Sequence, residues 1–293
     1  MSREWMKRIS SLAIAALLIS ALVGCGAKKA FDYGSAETGY MLTYRPQAAP
    51  IKYESVQEQV QNIEMMGQNI ESTTDSKSKL TIAFKGVKEG NMVLGVTIDD
   101  MSMSAASMQG DMTADMSGVI GKSFEFQLSP LGKESNFVGA NELKFSVGPM
   151  GERSVEPGFR SIFPDLNDKP LKIGDSWESE DITDMNESGM DIKLVFNNVN
   201  TIAGIEVVDG IECIKIEVES EGTMDGTGEQ MGADLAIEGD IEGTSAWYFA
   251  YKGGYLVKQE VESFTEATVA VSGPQNITLP MTMDSKTTLM LKK

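Results

Sequence analysis

The chain is expected to be mostly β, with long, strongly curved antiparallel sheets, little helix, and two halves that look related. Three observations carry this. Apolar and polar residues alternate with a period of two through most of the chain, the pattern of strands with one packed and one wet face. Several alternating runs exceed about ten residues, against a usual five or six, and strands of that length coil because of their right-handed twist. Long amphipathic helical patterns are scarce, and the best helical turn is Phe159 to Phe163, ahead of Pro164.

The first 25 residues read MSREWMKRISSLAIAALLISALVGC. Arg3, Lys7 and Arg8 precede an apolar run from Ile9 to Val23. That run is shorter than the about 20 apolar residues a membrane-spanning helix needs. Residues 1–24 have the layout of a secretory signal peptide. The end of the run, Leu22-Val23-Gly24-Cys25, resembles the lipobox of bacterial lipoprotein precursors. The resemblance implies cleavage before Cys25, acylation of that cysteine, and a membrane anchor, each buried CH₂ contributing about 0.8 kcal/mol. Gly26 stands where an Asp would favour inner-membrane retention, so the resemblance implies the outer membrane in a Gram-negative envelope.

Removing Arg3, Lys7, Arg8 and Glu4 from the 25 basic and 43 acidic residues leaves a mature chain of net charge −20. Such a chain repels nucleic acid and anionic head groups, which excludes nucleic acid as a partner. With Cys25 acylated, Cys213 is the one remaining thiol, so no intrachain disulfide forms and stability rests on burial.

Residues 25–50 read as a lipidated N-terminus and tether, with a first strand near Tyr40 to Arg45. A first β half spans 51–147. Leu80, Ile82 and Phe84 alternate with polar neighbours, as do Met92, Leu94, Val96 and Ile98, then Phe124, Phe126 and Leu128. A connector, 148–176, carries Pro149, Pro157, Pro164 and Pro170, which cannot donate to a sheet ladder. A second β half spans 177–293, with Ile192, Leu194 and Phe196, then Ile214, Ile216 and Val218, then Leu235, Ile237, Ile241, Trp247 and Phe249 in phase. Gly95, Gly239 and Gly243 within these runs mark bends or bulges. "KLTIAFKGV" (79–87) and "DIKLVFNNV" (191–199) share their spacing, which hints at duplication, although alternating strands resemble one another in any case.

The connector's "FPDLNDKPLKIGDSW" (163–177), with a Gly67-Gln68-Asn69-Ile70 turn ahead of it, resembles a family of uncharacterised bacterial lipoproteins. That family brings no activity with it. An acyl anchor joined to a long coiled sheet is similar in architecture to the LolA/LolB/LppX-type lipid-binding half-barrels, which implies a concave apolar face that shelters lipid.

The chain has no histidine. This removes Ser-His-Asp and Cys-His catalysis, the usual zinc sites and most copper(II) sites. Gly174-Asp175-Ser176-Trp177 reads as a turn whose Trp covers the core. Asp184, Asn186, Ser188 and Gly189 begin like a calcium loop, but its twelfth position is Val195 where a bidentate Glu is needed, so an acidic hairpin loop is the better account. No constellation reads as catalytic, no cofactor is expected, and the chain reads as a non-enzyme.

The stretch "DDMSMSAASMQGDMTADMSG" (99–118) concentrates Met101, Met103, Met108, Met112 and Met116. Residues two apart on a strand share a face, so Met101 pairs with Met103, and Met281 with Met283. The second pair is in phase with Leu289 and Leu291 and belongs to a core. The first pair is out of phase with Met92 to Ile98 unless a bulge at Asp99-Asp100 resets the register. These methionines can fill a core, line an adaptable apolar surface, or bind soft Cu(I) or Ag(I), with Met101, Met103 and Met108 as the weak metal candidates. The expected function is a lipid-anchored envelope module for lipid or another apolar ligand. Its candidate lining is Met101, Met103, Met112, Met116, Phe124, Phe126, Trp247 and Phe249. The alternative is a structural or adaptor lipoprotein that binds envelope proteins.

Overall fold

A computed structural model describes residues 31–65, 67–108, 110–148, 151–187, 190–230, 233–273 and 276–292. The expected signal peptide, residues 1–24, and Cys25 lie outside them. Met1–Asp32 and Tyr33–Lys293 are separate units, and every strand named below belongs to the second.

Sixteen strands run in chain order among the described residues. They are β1 (Gly34–Ser35), β2 (Gly39–Tyr40), β3 (Ile51–Met65), β4 (Gln68–Lys88), β5 (Asn91–Ser107), β6 (Gly110–Thr113), β7 (Ser123–Leu128) and β8 (Glu134–Val138), then β9 (Lys144–Ser146) and β10 (Glu152–Ser154). The second series is β11 (Ser176–Glu187), β12 (Met190–Val208), β13 (Ile211–Gln230), β14 (Ala233–Ala250), β15 (Tyr255–Ser272) and β16 (Ile277–Lys292). The mostly-β, antiparallel expectation holds. Twelve strands form one open sheet in the order β11-β12-β13-β14-β15-β16-β3-β4-β5-β7-β8, with β6 on the remaining stretch of β5. The two β halves therefore share one sheet, joined where β16 pairs with β3 from Met281↔Ile63 to Lys292↔Lys52.

Neighbouring strands are joined by tight hairpins. Asp209 and Gly210, at φ 49° and 79°, make the two-residue turn between β12 and β13, and Glu89 and Gly90 do the same between β4 and β5. Two left-handed residues in succession match the twist of the flanking strands, and Gly at the second position takes that conformation without steric cost.

One sheet face, the inner one, carries the two clusters described below; a smaller one, Cys213, Tyr248, Ala250 and Val257, is buried at one end of the other face. The principal cluster gathers Leu80, Ile82, Val96, Ile98, Phe124, Phe126, Ile202, Ile214, Ile216, Trp247, Phe249 and Leu256 from β4, β5, β7 and β12 to β15. Two non-sheet segments cover this cluster. One is the N-terminal stretch, where Tyr40, Leu42 and Tyr44 are buried. Of the expected first strand, Tyr40 to Arg45, only Tyr40 falls in a strand, β2; Tyr44 and Arg45 donate their N–H groups to the carbonyls of Pro130 and Gly254 instead. The other is the connector, which leaves one sheet edge at β8 and reaches the opposite edge at β11. It buries Val155, Phe159, Phe163, Leu166 and Leu171. Phe159 meets Phe124 edge to face at 4.7 Å between ring centroids, and Tyr44 meets both Phe163 (5.5 Å) and Phe249 (5.1 Å).

The connector's helical turn falls at Glu156–Phe159, a 3-10 turn, rather than at Phe159 to Phe163. Pro157 has its φ already set for a first helical turn. Ser161 takes a left-handed φ of 75° and Pro164 disfavours helical backbone at Phe163, so 160–163 leaves the helix.

A second apolar cluster occupies the same face nearer the other strand ends: Met224, Ile237, Ile241, Ala267 and Met281, with Ile63, Ile192, Leu194 and Phe196 against it. Only strand residues make this cluster. The sheet shields it by curling. Cα atoms of β12 come within 8 Å of β14, and those of β13 within 8 Å of β15, where flat strands two apart sit about 9.6 Å from one another. Glycine allows the curl. A Cβ on Gly239 would lie 2.5 Å from the Ala267 Cβ and 2.7 Å from the Glu266 carbonyl, and one on Gly222 would lie 2.7 Å from the Phe196 ring. "KLTIAFKGV" and "DIKLVFNNV" fall in different clusters, Leu80 and Ile82 in the first and Ile192, Leu194 and Phe196 in the second. What they share is the alternation of any inner-face strand.

Candidate functional site: an uncharged inner face

Charge is sorted between the two faces. From β12 through β16 and on through β3 to β5, eight neighbouring strands, the inner face carries no charged side chain over a long central stretch. One cross-strand row shows the pattern: Asn198, Ser220, Gly243, Ser263, Ser285, Gln59, Thr74 and Ala105 stand opposite one another in turn. The row displaced by one residue on the outer face reads Val199, Glu219, Thr244, Glu262, Lys286, Glu58, Asp75 and Ser104. A strand that spans a lipid bilayer in a barrel puts its apolar residues outward. Here the outward residues are the charged ones.

The inner face thus has three zones: the covered principal core, a middle belt of Ser, Thr, Gln and Asn, and the uncovered second cluster. In the belt, Gln59 and Gln61 donate to the sulfurs of Met283 and Met281, each at 2.8 Å. Ser220 donates to Asn198 Oδ1 (2.6 Å), and Asn198 Nδ2 donates to Asp181 (2.8 Å).

Where the belt meets the core, three buried polar atoms lack a hydrogen-bond partner among the described residues: Trp177 Nε1, Asn200 Oδ1 and Trp247 Nε1. Trp177 is 8% exposed, Asn200 0% and Trp247 7%. Asn200 uses its amide N–H groups on the Trp177 carbonyl (3.2 Å) and Ser179 Oγ (3.0 Å), which leaves its oxygen over. An unsatisfied buried donor or acceptor costs about 1–3 kcal/mol.

Acidic groups gather where the connector runs between the sheet edges. Glu134 of β8 accepts the Phe163 N–H at 2.8 Å. Burial pushes its carboxyl up to about 8, against the lowering effect of that bond. Asp165 in the connector is pushed up to about 6 by burial and by Asp181, while Lys133, 3.8 Å away, pulls it down. Asp181 of β11 is raised by burial as well. Among the described residues no group of His, Cys, Asp and Glu could hold a metal ion.

The expected site residues fall in different zones. Phe124, Phe126, Trp247, Phe249 and Met116 are buried in the principal cluster. Met101 and Met103 are half-buried against it. A bulge does reset their register: Lys79 pairs with Asp100 and Leu80 with Ile98, so Asp99 is the extra residue and its carboxylate accepts from Thr81 Oγ1 at 2.6 Å. Met112 of β6 stands opposite Ala105 and is half-buried. Met108 is 74% exposed in the turn after β5, five residues past Met103. Five extended residues span about 17 Å, so Met101, Met103 and Met108 do not converge.

The void among the core aromatics, between Tyr44, Tyr53, Leu94, Leu128 and Phe163, amounts to ≈ 40 Å³. A groove of ≈ 1200 Å³ crosses β11 to β16 and is lined by Glu178, Glu180, Glu219, Glu221, Glu242 and Glu262 with Ser179, Ser220, Val199, Phe264 and Lys286. Gly174-Asp175 is a turn, with Gly174 at φ 90° and the Lys172 N–H donating to Asp175 Oδ2 (2.8 Å). Asp184 lies in a strand opposite Lys193, while Ser188 and Gly189 lie outside the described residues.

Sequence reasoning missed Asn198 and Asn200. Their signal is in "LVFNNVNTI" (194–202): both are in phase with Leu194, Phe196 and Ile202, which marks uncharged polar groups on a packed face.

No family model and no curated protein matches the chain. Among solved structures, the chain is similar over 89% of its length to all of the COG4313 outer membrane channel from Pseudomonas putida F1, at 8% identity and a TM-score of 0.21. Over 79% of its length it is similar to 83% of a DUF1329 family protein from Desulfovibrio piger, at 14% identity and a TM-score of 0.18. Over 90% it is similar to 96% of Pseudomonas aeruginosa OccD3 (OpdP), at 9% identity and a TM-score of 0.19.

Proposed function

We propose that this protein is a lipid-anchored module of the bacterial cell envelope that holds an apolar or amphiphilic ligand on the inner face of its sheet and catalyses no reaction. The anchor rests on the lipobox-like Leu22 to Cys25. The observation that carries the ligand reading is the exclusion of charge from the inner face of eight strands, continued into the half that no covering segment reaches. A buried core explains the exclusion in the covered half only. In the other half, Met224, Ile237, Ile241 and Met281 form an apolar cluster that only strands shield, beside uncharged hydroxyls and amides. The small void among the core aromatics, ≈ 40 Å³, favours this half over the aromatic cluster as the ligand's seat. A second reading, an adaptor for envelope proteins, draws support from the acidic groove and from β11, a twelve-residue edge strand.

The test is native mass spectrometry of the Cys25→Ser protein, exported by its own host. A stoichiometric lipid-sized adduct that denaturation removes is the expected result. A bare protein mass in every charge state overturns the ligand reading in favour of the adaptor.

A further inference from the structure

Charge is sorted along the strands as well as between the faces. Followed from strand to strand, the register puts the turns Glu89-Gly90, Asp209-Gly210 and Lys252-Gly253-Gly254 at one end of the sheet, the near end. There the charges cancel in pairs. Lys215 bridges Glu217 (2.9 Å) and Glu206 (3.4 Å), Lys252 meets Glu212 (2.6 Å), Lys258 meets Glu260 (2.7 Å) and Lys292 meets Glu54 (2.7 Å). Farther along the strands they do not cancel. From Glu219 to Glu242, the far halves of β13 and β14, every charged residue is Asp or Glu, and the same holds from Glu262 to Ser272 on β15. The register even sets like charges directly opposite one another: Glu221 against Glu242, Asp225 against Glu238 and Asp240 against Glu266. Such pairs destabilise a sheet.

The chain enters the sheet at the near end. Arg45 donates its backbone N–H to the Gly254 carbonyl (2.9 Å) and its guanidinium to the Tyr251 carbonyl (2.7 Å), and the Tyr33 ring lies 4.7 Å from that guanidinium. Cys25 stands eight residues before Tyr33, so even a fully extended tether spans no more than about 29 Å. An acyl group on Cys25 therefore keeps the near end close to a membrane. Glu221 stands ten residues along β13 from Ile211, about 33 Å. With the strands upright, the acidic rows stand several Debye lengths, each about 8 Å, above anionic head groups. With the strands flat, they enter that layer and are repelled. Exposed apolar side chains do not distinguish the ends, because Val87 and Val207 are exposed beside near turns and Met65 and Met108 at the far end. Charge does.

We propose, resting on the lipid-anchor half of the reading above, that the near end, with Val87 and Val207 at its tips, is the surface this protein sets against the bilayer that holds its anchor. The acidic far half stands away from that bilayer.

The acylated full-length protein is reconstituted into vesicles of phosphatidylethanolamine and phosphatidylglycerol, a fraction of whose head groups carry a nitroxide quencher. A fluorophore is attached to one introduced cysteine at a time: Val87→Cys, Val207→Cys or Gln68→Cys. Cys213 is fully buried and stays unlabelled. Val87 and Gln68 lie near the two ends of β4, up to about 63 Å apart, so the labels at 87 and 207 should lose about half or more of their emission while the label at 68 keeps its own. Either near position decides if the variant at the other does not fold. Vesicle flotation reports the anchor separately. In protein that floats with the vesicles, quenching at position 68, or none at the near positions, overturns the membrane-facing end and leaves the anchor standing. Protein that does not float overturns the anchor and this inference together.

Discussion

The two ends of the inner face solve the same problem by different means. At one end the sheet is covered: Tyr40, Leu42 and Tyr44 from the N-terminal side and Phe159, Phe163 and Leu166 from the connector close over Phe124, Phe126 and Phe249. At the other end nothing but strand contributes, and burial of Met224, Ile237 and Met281 depends on the sheet bending over itself at Gly222 and Gly239. A covered core is rigid and full. A face protected by curvature keeps its burial only as long as that curvature is held.

The largest expected effect contrasts these ends directly. Phe126 is 1% exposed and touches the rings of Phe124, Phe137 and Phe163. Phe126→Ala should lower stability by about 3–5 kcal/mol, whereas Met281→Ala should cost about 2 kcal/mol, because the curved end can relax into the space. Urea unfolding of both variants measures the difference. Equal losses would mean that the two ends are packed alike.

Next comes the curl. Gly239→Ala places a methyl against the Ala267 Cβ and the Glu266 carbonyl, which should cost roughly 1–3 kcal/mol, although Ala is ordinarily the better strand residue. Ala267→Gly in the same chain should recover part of that loss, as a double-mutant cycle would reveal. Absence of any coupling would remove close strand approach as the cause.

The smallest effect is a pH dependence confined to the covered end. Burial raises Glu134 to about 8 and Asp165 to about 6, and raises Asp181 too. An acid whose folded pKa lies above its unfolded value keeps its full contribution below the unfolded pKa and loses it as pH rises through the folded one. Stability should therefore fall from the ordinary carboxylate range, about pH 4, to about pH 8, where the connector meets the sheet edges: Asp165 contributes up to about 6 and Glu134 up to about 8. Glu134→Gln should flatten the upper part of that fall, read as the urea midpoint at pH 6, 7, 8 and 9. A midpoint that rises over this range would contradict the assignment.

Much of the covered end is legible in the sequence, because alternation is local. Leu80, Ile82, Phe124 and Phe126 announce an inner face by their spacing alone, and the phase break between Ile98 and Met101 announces the Asp99 bulge. The curl is half legible: Gly239 and Gly243 interrupt an alternating run, but nothing local says which neighbour would strike their missing side chains. The connector's prolines mark it as a break without revealing that its Phe159 and Phe163 roof the core. The candidate site is the least legible part. Trp177 reads as core cover and Trp247 as apolar lining. Their missing partners, and that of Asn200, emerge only when the four strands β11 to β14 are set side by side.

The pairing of β16 with β3 has a consequence for how the molecule is made. Most neighbours in the sheet are also neighbours in sequence, yet Tyr53 must wait for Leu291. Until the last sixteen-residue strand emerges, β3 and β15 both present bare edges to whatever is nearby. Contacts so distant along the chain slow folding and prolong the exposure of sticky intermediates. A chain cut short before Ile277 would lose the strand that joins its two halves, and would carry two long open edges suited to aggregation.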